Sequence, residues 1–521
     1  MVLPWRDGGA SRRSPRRDLL FTPVRSTLLL LLGCVIGGRG LPAQCPDGSP
    51  PPCARPVAHA PAPNSVAVLY FDNLSRDTAD AYLADGLTEE IIVRLGQIQR
   101  LDVKSRYEVQ RFRGRSGGDP ATLGHTLGAA NIVTGSVQKA GQRVRVRVEL
   151  VRATNRARLW GDVFDRSSDD VLDIEEQIAS AVVQGIAGQL LPEERAVLAK
   201  RPTYSAEAYD LYLRGRALMR FEEAPLRHAI ASFEQALALD SGFAPAAASI
   251  AQAWGLLADD FVAPRVANPQ ARAAAQWAVR ADAGAAEGWA NLAMVTYWFD
   301  WNPVQAESLA RRAVALDARS SWAHMMRGLA LMHLAPAGEA VAEFERAFDL
   351  DSLSEVTESN AAWGLIHLRR YDAAANVARR FQRAVPGSAR GYWDEARVYL
   401  VQRDCGRALP LLQRQRAAAG GGPGVEELYC EGHADEARQL LASRIRAQEQ
   451  SRAYFRAGDV ARTYVLLGDR DQAFLWLDRA FEAREATLAY LTLDPQWDPL
   501  REDPRFVDLV RRTGLATVGE H

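Results

Sequence analysis

Between residues 143 and 150 the chain alternates strictly: Val144, Val146, Val148 and Leu150 are separated by Arg143, Arg145, Arg147 and Glu149. Successive side chains of a strand point to opposite faces, so this segment predicts a strand with one buried and one wet face. Residues 132–138, joined to it by a turn at 140–142, complete a hairpin. Upstream, residues 66–71 form a continuous apolar run suited to a buried strand. Residues 80–97 then carry Leu83, Leu87, Ile91 and Leu95 at four-residue spacing, one apolar stripe of a helix. Residues 101–105 and 159–164 predict further strands, and 120–129 and 172–190 further helices. The pattern is that of a compact α/β domain over residues 65–195.

Beyond residue 203 the period changes. Small residues recur at offsets of four, three and four, as in Ala229, Phe233, Ala236, Asp240 and again in Ala271, Ala275, Ala278, Asp282. The frame continues through Ala306, Ala340 and Ala374, with weaker copies starting at Ala408, Ala437 and Ala473. The steps from Ala306 to Ala340, Ala374 and Ala408 are each 34 residues, the period of the tetratricopeptide repeat, which the region resembles. Small residues on each second helix let the next first helix approach closely, while Phe233, Phe344 and Phe381 fill the gaps. Gly328 and Gly364 fall where paired helices nearly touch. Segments such as Leu350-Asp351-Ser352 stop one helix before the next pair. The prediction is about eight helix pairs over 203–484, three of them degenerate, forming an all-α right-handed solenoid, with residues 485–521 as a cap. In that cap, residues 497–500 and 503–506 open a short helix ending near Leu515.

A second resemblance covers the α/β region. Tyr82-Leu83-Ala84-Asp85-Gly86-Leu87-Thr88-Glu89-Glu90-Ile91-Ile92, then Gly135-Ser136-Val137, the Arg-Val-Arg-Val strand from Arg143, and Leu159-Trp160 before Phe164-Asp165-Arg166 are similar, in order, to the TolB amino-terminal-like (FlgO-like) domain. The resemblance implies an envelope or sensory role. In bacteria such domains commonly precede tetratricopeptide repeats, often in chains carrying a kinase, a nucleotide cyclase or a DNA-binding domain. It implies no catalytic residues.

Stacked repeats form a superhelix whose first helices line a concave groove. The repeat register places Asn291 and Trp298 on that surface, then Trp322, Met325 and Met332, then Trp363, and then Trp393 with Arg397. Aromatic and methionine side chains suit a peptide with apolar anchors. Packing between helices is the competing reading for each of them.

The first residues carry a different signal. Arg12, Arg13, Arg16, Arg17 and Arg25 precede a mostly leucine run at 27–38, followed by Leu41-Pro42-Ala43. This is the three-part pattern of a secretory signal peptide over 1–43, leading into a Pro-rich linker at 44–64. Leu31-Leu32-Gly33-Cys34 as a lipoprotein box, or an uncleaved anchor, are the alternatives, and a start near Val24 gives a neater signal. Cys45 and Cys53 flank a turn-rich loop that a disulfide would close in an oxidising compartment. Cys405 and Cys430 are expected to sit apart as small packing residues. An exported, periplasmic or envelope-associated protein is expected.

Composition changes this picture little. A formal net charge of -1 excludes a bulk nucleic-acid footprint, and only Lys104, Lys139 and Lys200 of the 63 cationic side chains are lysines. The Arg143, Arg145, Arg147 stripe reads as a solvated strand face, and Asp85, Glu89 and Glu90 as carboxylates favoured by a helix's early turns. The sequence holds no Gly-rich loop ending in Gly-Lys-Ser/Thr, no His-Glu-x-x-His and no Gly-x-Ser-x-Gly. The expectation is therefore a non-enzymatic scaffold that binds protein or peptide, with no cofactor or metal. A sensory half of a signalling system, with its kinase or cyclase on another chain, is the alternative.

Overall fold

The structure is a computed structural model that describes residues 61–515, apart from 111, 115–117, 259, 452–453 and the side chain at 107. The expected signal segment, most of the linker, and Cys45 with Cys53 lie outside the described residues.

The apolar run becomes strand β1 (Ser65–Val68) and, after a break, β2 (Asp72–Asn73); residues 66–71 are all buried. Helix α1 (Ala81–Gly96) buries Leu83, Leu87, Ile91 and Leu95. It is followed by β3 (Asp102–Val103), the short α2 (Arg106–Gln110) and α3 (Pro120–Leu127). The hairpin is β4 (Asn131–Ala140) and β5 (Arg143–Arg152), with Gly141 at φ 58° in its tight turn. Strand β6 (Arg158–Ser167), α4 (Val171–Ala187) and α5 (Pro192–Leu198) complete the module. The strand order is β3-β1-β4-β5-β6, with β2 also pairing β4; the β1 contacts are parallel and the β4-β5-β6 contacts antiparallel. Along β5, Val144, Val146, Val148 and Leu150 are buried and Arg143, Arg145 and Arg147 exposed, as the alternation requires.

The repeats follow as eight helix pairs among the described residues. They are α6 (Ala206–Ala217) with α7 (Glu223–Leu239), α8 (Ala244–Leu257) with α9 (Pro264–Ala281), and α10 (Ala286–Trp298) with α11 (Pro303–Leu316). Next come α12 (Ser321–Leu331) with α13 (Ala337–Leu350), α14 (Glu355–His367) with α15 (Tyr371–Ala384), and α16 (Ala389–Leu400) with α17 (Cys405–Ala419). The last pairs are α18 (Val425–Cys430) with α19 (Ala434–Ser451) and α20 (Ala457–Leu466) with α21 (Arg470–Ala483); α22 (Pro504–Thr513) ends the chain.

The recurring small residues lie on the second helices. Ala229, Ala271, Ala306, Ala340 and Ala374 are fully buried, as are Phe233, Phe344 and Phe381. A Cβ built on Gly328 would lie 2.8 Å from the Phe344 ring, and one on Gly364 only 2.4 Å from it. One phenylalanine thus wedges between two successive first helices, and neither glycine tolerates a side chain. The polar turn residues do more than end helices. Ser320, Ser354 and Ser388 each accept the backbone N–H three residues on, capping α12, α14 and α16.

One expectation fails here. Cys405 and Cys430 form a disulfide, with their Cα atoms 5.0 Å apart. Cys405 opens α17 and Cys430 closes α18. In stacked helix pairs the start of a second helix lies beside the end of the next first helix, so residues 25 apart in sequence meet.

Candidate functional site

The first helices of the pairs line a concave groove of about 1880 Å³. Its walls come from three parts of the chain. The solenoid supplies residues of α6, α8, α10, α12, α14, α16 and α20. The α/β module supplies α1, part of α2 and Val197 of α5, and the segment after α21 supplies Ala486, Thr487, Tyr490 and Gln496.

Helix α1 is fixed against the first repeat. A Cβ on Gly86 would lie 2.8 Å from Leu213, so α1 and α6 are in close contact. Behind them Arg94 Nε lies 3.4 Å from Glu175, which also accepts the Tyr209 hydroxyl at 2.6 Å. Burial pushes the Glu175 carboxyl well up, with Arg94 opposing the rise. Toward the groove, Asp85 pairs with Arg113 at 2.9 Å, and Glu89 with Arg106 at 3.0 Å and with Arg216 at 3.5 Å. Burial raises Asp85 to about 6 against the pull of Arg113. For Glu89 burial works against the charge, yet Arg106 and Arg216 hold it below the usual carboxylate range. Asp85 and Glu89 are therefore neutralised by arginines of α2, α6 and the α2–α3 loop.

Five of the eight residues expected on the groove line it: Trp298, Trp322, Trp363, Trp393 and Arg397. Trp298 and Trp322 make a tilted pair 5.9 Å apart. The Arg397 guanidinium sits 3.3 Å from the Trp363 ring centre while donating to Asp394 at 3.0 Å, and Arg462 lies 5.0 Å from the same ring. Burial, and then the neighbouring Arg390 and Arg462, lower Arg397 to about 10, with Asp394 opposing.

The other three do not line it. Asn291 is buried behind the surface, donating to the Ala248 carbonyl at 2.9 Å and accepting Trp322 Nε1 at 3.0 Å. It holds a groove tryptophan in place from behind. Met325 and Met332 belong to the core. Each first helix is flanked by the first helices of both neighbours and backed by its own partner, so only a narrow strip faces the groove. Met325 lies outside that strip, and Met332 falls in the turn after α12.

Residues 485–521, expected as a cap, do more than cover the last repeat. In the structure the start of this segment reaches back across the array. Trp298 Nε1 donates to Tyr490 Oη at 2.6 Å, Trp301 Nε1 to the Glu485 carbonyl at 3.2 Å, and Arg484 Nε to the Phe299 carbonyl at 3.0 Å. Arg265 Nε donates to the Glu482 carbonyl at 2.6 Å. The eighth pair therefore meets the second and third, and the solenoid closes on itself. Glu485 anchors this closure by accepting the N–H groups of Ala457 and Gly458 and the Tyr454 hydroxyl. Below Tyr490, Asp494 pairs with Arg462 at 3.1 Å and lies 3.8 Å from His367. Burial opposes the Asp494 charge, but Arg462 and His367 hold the carboxyl low. Burial lowers both His367 and His333, the latter to about 4. Among the described residues no group of three or more His, Cys, Asp or Glu is placed to hold a metal ion. No helix among them is long and apolar enough to cross a membrane.

No family model matches the chain. It is 30% identical over 251 residues to a protein of Rhizobium meliloti (strain 1021) named "Putative adenylate cyclase 3", a match over 47% of this chain and 42% of that protein. The chain thus spans less than half the length of the curated relative it matches. Among solved structures, human IFIT1, seen as a dimer with m7Gppp-AAAA, is 13% identical with a TM-score of 0.38 over 80% of this chain and 97% of that one. Yeast Tom70 is also 13% identical, with a TM-score of 0.35 over 66% and 82%. YrrB, described as a TPR protein with an unusual peptide-binding site, is 17% identical, with a TM-score of 0.25 over 36% and 91%. Scores this low add nothing to the stacking of helix pairs seen directly in this structure.

Proposed function

We propose that this chain is a non-enzymatic, envelope-associated scaffold that binds protein partners through the concave groove of its tetratricopeptide-type repeats. The observation that carries the reading is the row of partly buried tryptophans, Trp298, Trp322, Trp363 and Trp393, on successive first helices of one groove. Large aromatic side chains that keep free surface in a concavity are the usual anchors of protein recognition. Export is supported by the signal-like pattern of residues 1–43 and by the Cys405–Cys430 disulfide, since disulfides persist in oxidising compartments. In this reading the α/β module is a TolB amino-terminal-like domain that forms one end of the scaffold.

The test is crosslinking capture from the native envelope with residues 44–521, beside a Trp322→Ala, Trp363→Ala double variant of verified helicity. Specific protein partners lost in the variant support the scaffold. Identical capture by both proteins rejects the groove.

A second reading, the sensory half of a signalling system, is favoured by the 251-residue similarity to a protein whose name is that of an adenylate cyclase. It predicts one dedicated signalling partner in place of several envelope clients. Nucleotide binding by the α/β module, measured by calorimetry, would favour it over the scaffold.

A further inference from the structure

The groove differs from an open repeat surface in three ways that together specify its occupant. First, its lining mixes carboxylates with arginines, and several are already paired: Asp85 with Arg113, Glu89 with Arg106, and Asp459 with Arg462, while Arg390 and Arg397 both hold Asp394 behind it. A strongly charged ligand would have to break such pairs, losing about as much as it gained.

Second, the side chains with free apolar surface lie on both the module and the repeats. Val93 of α1 is 51% exposed and Val197 of α5 is 37% exposed, and both line the groove, as do Trp298 and Trp322. Leu316, at the end of α11, is 44% exposed on the same lining. Exposed apolar side chains are ordinary when scattered over a convex surface, but these converge on one concavity.

Third, the space is bounded on several sides. The contacts of Trp298 with Tyr490 and of Arg484 with Phe299 close the array, and Arg319 donates to the Val103 carbonyl of the module across another side. The volume of 1880 Å³ is about twice the upper end for pockets that hold drug-sized ligands. A folded domain does not enter such a space, whereas a run of extended residues does.

We infer that the groove is a composite site, walled by helix α1 of the α/β module as well as by the repeats, and that its occupant is an extended, uncharged polypeptide segment bearing large apolar side chains. The inference rests on the proposal that the groove binds partners. It gives the signature helix of the module a direct part in recognition, beyond packing.

The test uses the full chain and fluorescein-labelled nine-residue peptides in which Leu and Phe alternate with Ser, beside matched peptides with Glu or Lys at the apolar positions. Fluorescence polarisation should show the neutral peptide binding best, with an affinity that changes less than about twofold between 0.05 and 0.5 M NaCl. Val93→Asp and Val197→Asp, both at exposed positions and each with helicity checked by circular dichroism, should each weaken it about tenfold or more, as should Trp322→Ala. Loss with Trp322→Ala but not with either valine variant overturns the composite wall while leaving the repeat groove as the binding surface. Tighter, salt-sensitive binding of the Glu or Lys peptide overturns the uncharged occupant. Self-association in sedimentation velocity that Val93→Asp abolishes would overturn it too, by making a second copy of the chain the occupant.

Discussion

Replacing both Cys405 and Cys430 by serine removes a crosslink between α17 and α18 that closes a loop of 25 residues. In the chain-entropy treatment, a loop of that length constrains the unfolded chain by about 12 cal/mol/K, or about 3.5 kcal/mol at 25 °C. The surroundings supply little to replace it. Helix α17 fully buries only Ala408 and Leu412, and α19 only Ala437 and Leu441, whereas α10 buries nine residues. Without the crosslink the α17–α19 region becomes the weakest part of the array and opens on its own. Hydrogen exchange should therefore quicken across 405–451 far more than across α10–α13. Urea unfolding followed by circular dichroism should show a new early transition, and dithiothreitol on the wild type should reproduce both effects. Unchanged exchange over 405–451, or Cys405 and Cys430 found as free thiols in protein taken from an oxidising compartment, would refute the reasoning.

Three further outcomes are expected. Glu175→Gln should be close to neutral at pH 5 and less destabilised than wild type at pH 8. The folded-state pKa of Glu175 is raised by burial to about 8, so the stability it contributes is fully present below the unfolded value of about 4.5 and is lost as pH rises toward the folded one; parallel urea midpoints for the two proteins from pH 5 to 8.5 would contradict this. Gly364→Ala should cost about 1–3 kcal/mol by driving a methyl into the Phe344 ring, and Phe344→Leu in the same chain should recover part of it, as thermal melts of the double-mutant cycle would show. Glu485→Ala should cost about 2–3 kcal/mol, because it strands the buried N–H groups of Ala457 and Gly458. That variant should also loosen the closure between Trp298 and Tyr490, read as a rise in hydrogen exchange at 486–494.

Much of this architecture is legible in the residues. The alternation along β5 and the four-residue stripe of α1 are local signals, and each gives the element and its buried face without reference to the rest of the chain. The Ala and Phe positions of the second helices are equally plain, because close approach of helices admits few side chains. The groove is legible only in part. Only a narrow strip of each first helix escapes its neighbours and its partner, so Met325 is lost to the core, and Met332 is lost because it falls in the turn after α12. The disulfide and the return of residues 484–494 onto α10 are set by stacking over many repeats. A segment such as Thr487-Leu488-Ala489-Tyr490 gives no hint in sequence that it will meet Trp298.

The central claim is that the concave face engages other proteins, and site-specific photocrosslinking in living cells tests it most directly. A photoreactive phenylalanine analogue would be placed at Trp393 on the groove and, in a second protein, at Trp277 of α9, which is 43% exposed and does not line the groove. Covalent adducts with discrete proteins from position 393 and none from 277 are the result the account predicts. The same adducts from both positions, or adducts from 277 alone, would contradict it.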